Sequence, residues 1–300
     1  MHIDQVRTFL EVVATGNFRR AAENLNVTQS TVSARIQSLE TELGRPLFER
    51  GRKGAALTAA GERLLRHGES MRRLWQRAKT DVALPEAYRA SLSLGVAPSL
   101  WDQLELQWVD WMRREAPSVA IHVESDYSPG LMRHLRDGVL DIGVMYEPER
   151  AQGLVIEEFL VDELVLLTTH GDCQVAEGTW RRGYALVDWG EAFRHGHDAQ
   201  FAELPYALSA GLGSIAVRYI LEFGGSAYLP VRMVLEQLRS GALHPVRGAP
   251  VFERTGCLIY SRTPADPDLL ELGLAGLRRV TAEIRERSAA LTGLTVPRRT

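Results

Sequence analysis

Residues 18–43, FRRAAENLNVTQSTVSARIQSLETEL, read as two helices joined by a tight turn. Asn17 is placed to cap the first, Phe18 to Leu25, in which Ala21 and Ala22 offer a small surface for close helix packing. Asn26, Val27 and Thr28 form the turn, and Thr28 caps the second helix. There Val32, Ile36, Leu39 and Leu43 recur at spacings of four, three and four, which defines one buried stripe. The opposite face carries Ser30, Ser33, Ala34 and Gln37. Small hydrogen-bonding side chains on an exposed face suit a helix lying in a DNA major groove. An ordinary helical hairpin has the same spacing, so the flanking segments decide between the two.

Upstream, a helix from about Asp4 to Ala14 presents Val6, Phe9, Leu10 and Val13 on one face and ends at Gly16. Downstream, Leu47 to Leu57 reads as two very short strands around a glycine-flanked basic tip, a wing. Its Arg50, Arg52 and Lys53 are suited to phosphate contact through counterion release; the alternative is a solvated basic turn. Thr58 then caps a long helix, Ala59 to about Leu84, closed by Pro85. Leu64, Gly68, Met71, Trp75, Ala78 and Val82 form a near-heptad seam along it, which predicts a two-helix coiled coil and hence a dimer. Gly68 fits such a seam poorly, since glycine packs little there. The helix would be roughly 40 Å long.

From Ser91 the pattern changes to short apolar strands alternating with amphipathic helices, the signature of a mostly parallel sheet. A second, similar set follows Thr169, and a terminal amphipathic helix starts at Pro267. Two α/β subdomains joined by two crossing strands is the economical reading. The expected boundaries are 1–58 for a winged helix-turn-helix domain and 59–90 for the linker helix and hinge. Residues 91–300 remain for the α/β domain, with subdomain I at about 91–165 and 262–300 and subdomain II at about 166–261.

Charge divides the chain in the same way. Residues 1–90 hold 15 Lys+Arg against 10 Asp+Glu, net +5, and the remainder 20 against 28, net −8, which together recover the overall −3. A basic front and an acidic back suit a nucleic-acid module carried by a domain with no reason to touch phosphate. The 45% hydrophobic content supports two or three cores, without an apolar run long enough for a membrane span. The first ten residues lack a signal-peptide pattern, so the expected location is the cytoplasm. Cys173 and Cys257 are too far apart to suggest a disulfide framework or a zinc site.

The front of the chain resembles the LysR-type transcriptional regulators: Phe9, Ala21-Ala22, Leu25, Thr28-Gln29, Val32-Ser33, Ile36, Leu39-Glu40, Leu43-Gly44, Leu47-Phe48, Arg50, Leu57-Thr58 and Gly61. The back matches through Gly138, Leu140-Asp141-Ile142 and Tyr228-Leu229-Pro230. Ser99-Leu100-Trp101 with Gln107-Trp108 is similar to the branch containing a repressor of flagellar genes. The resemblance implies a winged helix-turn-helix, a dimerising linker helix and an effector domain similar to periplasmic solute-binding proteins. Such regulators usually assemble as tetramers, and RNA polymerase is a further partner to consider. Candidate DNA contacts are Arg20, Thr28, Gln29, Ser30, Thr31, Ser33, Arg35, Arg50, Arg52 and Lys53. The chain departs from the commoner pattern at Ser30, where many members have proline, and at Ala34, where many have arginine; its basic residue comes one later, at Arg35, on the edge of the buried stripe.

In a doubly wound sheet ligands collect where strands end and helices begin. By the resemblance those junctions surround a cleft between the subdomains, which makes Ser99, Leu100, Trp101, Ser128, Tyr146, Ser209, Ala210, Ser214 and Tyr228 the candidate effector contacts. The serines suit a small polar or anionic effector and the aromatic residues a wall; each serine is equally a helix cap. Gly211-Leu212-Gly213-Ser214 spells part of a dinucleotide motif but is better read as a turn and helix start. His195-Gly196-His197-Asp198 reads as a solvated loop rather than a metal site. No hydrolase elbow, zinc-protease helix or phosphate loop points to an enzyme, and no cofactor is called for. Two rival readings are a thiol-based redox regulator using Cys173 and Cys257, and a small-molecule-binding protein without DNA function.

Overall fold

The computed structural model describes residues 2–51 and 54–292; for residues 50, 51, 54, 101–103, 105 and 288–292 it describes the backbone alone. Arg52 and Lys53 of the expected wing tip therefore lie outside the described residues, and the side chains of Arg50 and Trp101 are likewise not described. The described residues divide into two compact units, 2–87 with 137–139, and 88–136 with 140–292.

In the first unit, α1 (Ile3–Thr15), α2 (Phe18–Asn24) and α3 (Gln29–Leu43) precede a two-stranded antiparallel wing, β1 (Phe48–Gly51) and β2 (Gly54–Leu57), and then α4 (Ala59–Val82). The caps are those the sequence calls for. Asn17 Oδ1 accepts from the Arg19 and Arg20 amides, and Thr28 Oγ1 accepts from Thr31 N at 3.2 Å. Asn26 takes a left-handed φ of 53°, a conformation asparagine tolerates well, which allows the turn to be this tight. Phe9, Val12, Ala21, Ala22, Val32, Ile36, Leu39, Leu47 and Phe48 form one core. Leu43, expected on the buried stripe, is 43% exposed as the last residue of α3.

The expected seam of α4 divides in two. Leu64 packs against the helix-turn-helix core and Gly68 lies beneath α1, where an added Cβ would sit 3.4 Å from Leu10 Cδ2. The glycine thus serves a contact within the chain. Only Trp75, Ala78 and Val82 of the later seam, with neighbouring Leu74, are exposed and apolar. Gly61 marks a closer approach: a Cβ there would meet the Leu47 carbonyl oxygen at 2.3 Å.

The second unit carries β3 (Ala90–Val96), α5 (Trp101–Glu115), β4 (Val119–Ser125), α6 (Ser128–Arg136), β5 (Ile142–Tyr146), β6 (Leu154–Thr168) and β7 (Cys173–Gln174). It continues with β8 (Tyr184–Val187), α7 (Glu191–Gln200), β9 (Leu208–Ala210), α8 (Gly213–Phe223), β10 (Ser226–Pro230), α9 (Leu235–Ser240), β11 (His244–Arg247), β12 (Phe252–Ser261) and α10 (Pro267–Thr292). The main path of the sheet runs β4-β3-β5-β12-β6-β10-β8-β9. β3 is parallel to both β4 and β5, and β8 to both β9 and β10, so each lobe contains the expected parallel core.

β6 and β12 run antiparallel to each other and link the lobes. The exchange between the two cores occurs inside these strands. Leu164 and Val165 already pack in the second core, whereas Cys257, Leu258 and Ile259 belong to the first. Trp108 on α5 donates from Nε1 to the Gly273 carbonyl at 2.8 Å, which ties α10 back to the first lobe. The segment around His195 is also corrected. It is helix α7, with His197 buried, its Nε2 2.8 Å from the Tyr184 hydroxyl and its ring stacked on that of Tyr184.

Candidate functional site

Two regions collect the candidate side chains, and each lies within one compact unit. On the helix-turn-helix, the buried stripe of Val32, Ile36 and Leu39 turns the other face of α3 outward. Arg20, Thr28, Gln29 and Ser30 are exposed and Thr31 and Ser33 half-buried. Arg35 behaves differently. Its Nη1 donates to Thr8 Oγ1 at 3.3 Å and its Nη2 lies 3.9 Å from the Asp4 carboxylate, so it clasps α1 instead of projecting with the polar face.

The second region lies where the two lobes of the α/β unit meet. Tyr146, at the end of β5, is buried and its hydroxyl donates to the Asp162 carboxylate on β6. Arg232, just after β10, donates from Nε to both Asp162 oxygens at 2.8 and 3.1 Å and from Nη2 to the Ser99 carbonyl at 2.7 Å. One buried ion pair thereby connects the first lobe, the crossing strand and the second lobe. Burial and the neighbouring Asp162 carboxylate push the Tyr146 phenol well above its ordinary pKa, so it stays neutral.

Beside this network Arg254, on β12, is the cross-strand neighbour of Asp162. Its guanidinium lies 3.7 Å from the Tyr146 ring centroid and 5.7 Å from that of Trp189. Burial lowers its pKa, and its Nε is buried without a hydrogen-bond partner. Glu147 approaches the same spot from a left-handed φ of 50°. A Cβ on Gly190 would lie 3.2 Å from a Glu147 carboxylate oxygen and 3.7 Å from Arg254 Nη2.

The other expected cleft residues separate into three groups. Ser99 and Tyr146 join the network, and Ser128 donates to the Tyr146 carbonyl at 3.0 Å. Ser209, at the end of β9, is exposed, with buried Ala210 beside it and Ser214 half-buried in the first turn of α8. Leu100 is fully buried in the first core, and Tyr228 packs among Phe193, Phe201 and Phe252 in the second, with its hydroxyl buried and unbonded.

Asp162, Arg232 and Arg254 were missed as site residues, although Asp162 and Arg232 interrupt apolar runs, FLVDELVLL and YLPVRMV; Arg254, between Glu253 and Thr255, carries no such signal. A charge within such a run marks a buried ionic group. A groove of about 470 Å³ lies between α5 and α10, where Arg114 and Arg279 pair with Asp110 and Glu283.

Neither cysteine has the surroundings of a reactive thiolate. Both are buried, and burial together with Glu158 raises the Cys257 pKa. Arg254, three residues before it, points its guanidinium at Tyr146.

An exposed polar recognition helix with a wing, joined through a long helix to a bilobed domain, defines a regulator that reads DNA. The comparisons with known proteins agree. Residues 3–62 match the family model of the bacterial regulatory helix-turn-helix proteins of the lysR family, and residues 85–279 match the LysR substrate binding domain. The chain is 31% identical over 260 residues to the HTH-type transcriptional regulator HdfR of Salmonella schwarzengrund strain CVM19633, covering 85% of this chain and 90% of that one. Among solved structures, CbnR, a LysR family transcriptional regulator, aligns with a TM-score of 0.69 at 20% identity over 94% of this chain and 99% of its own. Full-length CbnR complexed with its target DNA aligns with a TM-score of 0.68, again at 20% identity, over 93% and 100%. The chain belongs to the LysR family and is a DNA-binding transcriptional regulator with a substrate-binding domain. No described helix is long and apolar enough to cross a membrane.

Proposed function

We propose that this regulator acts in the cytoplasm as a homo-oligomer paired through α4, and that a small molecule held between its two α/β lobes sets its DNA binding. The working division is 1–58 for DNA binding, 59–90 for dimerisation and hinge, and 91–300 for the effector. The observation that carries the reading is the outward face of α3, where Thr28, Gln29, Ser30 and Ser33 stand on a helix anchored by a fully buried stripe. Arg20 and the basic wing, Arg50, Arg52 and Lys53, supply phosphate contacts around it. The solved complex of CbnR with its target DNA supports this mode of engagement by likeness of fold. The mechanism is a population shift. A ligand that prefers one closure of the lobes favours one arrangement of paired effector domains, and so one spacing of the DNA modules. Contact with RNA polymerase and assembly to a tetramer belong to the same reading.

The test is fluorescence anisotropy across a salt series, with the DNA immediately upstream of the gene and a scrambled duplex as control. Preferential binding with a steep salt dependence is expected, and Arg52→Ala with Lys53→Ala should reduce the slope of log K against log salt by about two. Equal binding to both duplexes, with no change of slope, would refute the assignment of α3 and the wing.

A further inference from the structure

We propose that Glu40 is a positioning residue for DNA binding: its carboxylate, carried on α3, holds the start of β1 and so fixes where the wing leaves the recognition helix. The inference rests on the reading of the wing given above and names the side chain on which its placement depends.

Glu40 stands three residues before the end of α3, next to Leu39 of the buried stripe. Its Oε1 accepts from the Leu47 amide at 2.7 Å and from the Phe48 amide at 3.3 Å. Between helix and strand the chain reverses through Gly44, whose left-handed φ of 67° closes α3, and Pro46. Leu47 is 1% and Phe48 6% exposed, so their amides need an acceptor within the protein. A carboxylate supplies one of the stronger, charge-assisted kind. Further ties hold the rest of the wing. Thr58 Oγ1, at the start of α4, donates to the Pro46 carbonyl at 2.7 Å, and the Ala55 amide donates to the Gly16 carbonyl at 2.9 Å. The Phe48 ring lies 5.4 Å from that of Phe9 and 5.7 Å from that of Phe18. Of these ties, the Glu40 bonds are the ones made from the helix that reads the groove. Cations on the wing gain affinity by counterion release only if they meet phosphates while α3 is seated, so the offset between helix and wing decides whether both engage at once. A carboxylate near DNA is in itself repulsive. A role through charge and a role through reach therefore predict opposite effects of removing it.

The readout is the slope of log K against log salt for the full-length chain on the duplexes described above. Arg52→Ala with Lys53→Ala sets the slope of a wing without its tip cations. Glu40→Ala is expected to lower the slope by about one, and to lower it little further when combined with that double variant. Glu40→Gln, which keeps an oxygen acceptor at the same reach, should recover most of the wild-type slope. Glu40→Asp, which keeps the charge one methylene short, should not. Hydrogen exchange reads the bonds themselves: the Leu47 and Phe48 amides should exchange about tenfold faster or more in Glu40→Asp than in Glu40→Gln. Chemical denaturation checks that each variant is folded, and if Glu40→Ala is not, the Asp and Gln pair decides alone. Wild-type slope in Glu40→Asp overturns the proposal and leaves the wing reading in place, as does full additivity of Glu40→Ala with the double variant. Tighter binding by Glu40→Gln and Glu40→Ala alike would make repulsion of DNA its role and overturn it too. A slope that the Arg52 and Lys53 substitutions do not change would remove the wing reading, and this proposal with it.

Discussion

Glu157, on β6, receives Arg278 Nε and Nη2 at 2.7 Å each, and Tyr260 donates to it at 3.1 Å. Hydrogen bonds from Arg278, reinforced by its charge, hold the Glu157 carboxyl below the usual carboxylate range. A depressed folded-state pKa stabilises the fold at pH above the unfolded value, about 4.3 for glutamate, and that stabilisation is lost as pH falls through the folded value. Glu157→Gln should therefore lower the melting temperature at pH 7 and leave it nearly unchanged at pH 3, a comparison thermal denaturation at the two pH values makes directly. Arg254 shows the contrasting case of a guanidinium whose Nε is buried without a hydrogen-bond partner. Its neighbour Asp162 could have been its partner by register, but the carboxylate faces Arg232 and Tyr146 instead.

At the scale of the element, the helix-turn-helix was legible because its determinants are local. Asn17 and Thr28 cap helices within three residues of themselves, and the stripe of α3 repeats every three or four. Helix α4 shows where local reading stops. Its heptad pattern is continuous, yet Leu64 and Gly68 are used by the helix-turn-helix of the same chain, while Trp75 and Val82 are left bare. Gly61 at its start is required by space. Gly61→Ala would place a methyl group on the Leu47 carbonyl and should destabilise the first unit by about 1–3 kcal/mol, as chemical denaturation would measure, weakening DNA binding through displacement of the wing. His197 makes the same point. Its surroundings in sequence suggest a polar loop, and Phe193 and Phe201 flank it one helical turn away on either side, but the rings of Tyr184 and Tyr228 that complete its burial come from β8 and β10.

At the scale of the whole molecule, self-association is the expectation with the clearest surface to test. Leu74 and Trp75 are each 48% exposed and Val82 is 89% exposed. Burial of one large apolar side chain contributes roughly 1.5–3 kcal/mol, and a charge at that seam would also need desolvation. Trp75→Glu should weaken self-association by at least about tenfold in sedimentation equilibrium while the isolated chain keeps its helical signal. A dimer of unchanged strength would move the interface to another surface.

The sequence by itself determined the order of domains, the helix-turn-helix with its caps and polar face, the wing and the alternating strands of a two-lobed α/β domain. These depend on repeat spacing and on cap and turn chemistry, which act between residues a few positions apart. Only the tertiary structure decided which side chains meet in the cleft. Tyr146, Asp162, Arg232 and Arg254 come from β5, β6, the turn after β10, and β12, and no short-range rule relates them. The antiparallel register of β6 and β12 places Arg254 opposite Asp162. The buried ion pair with Arg232 then takes up Asp162, and Arg254 lies over the Tyr146 ring with its Nε buried and unbonded.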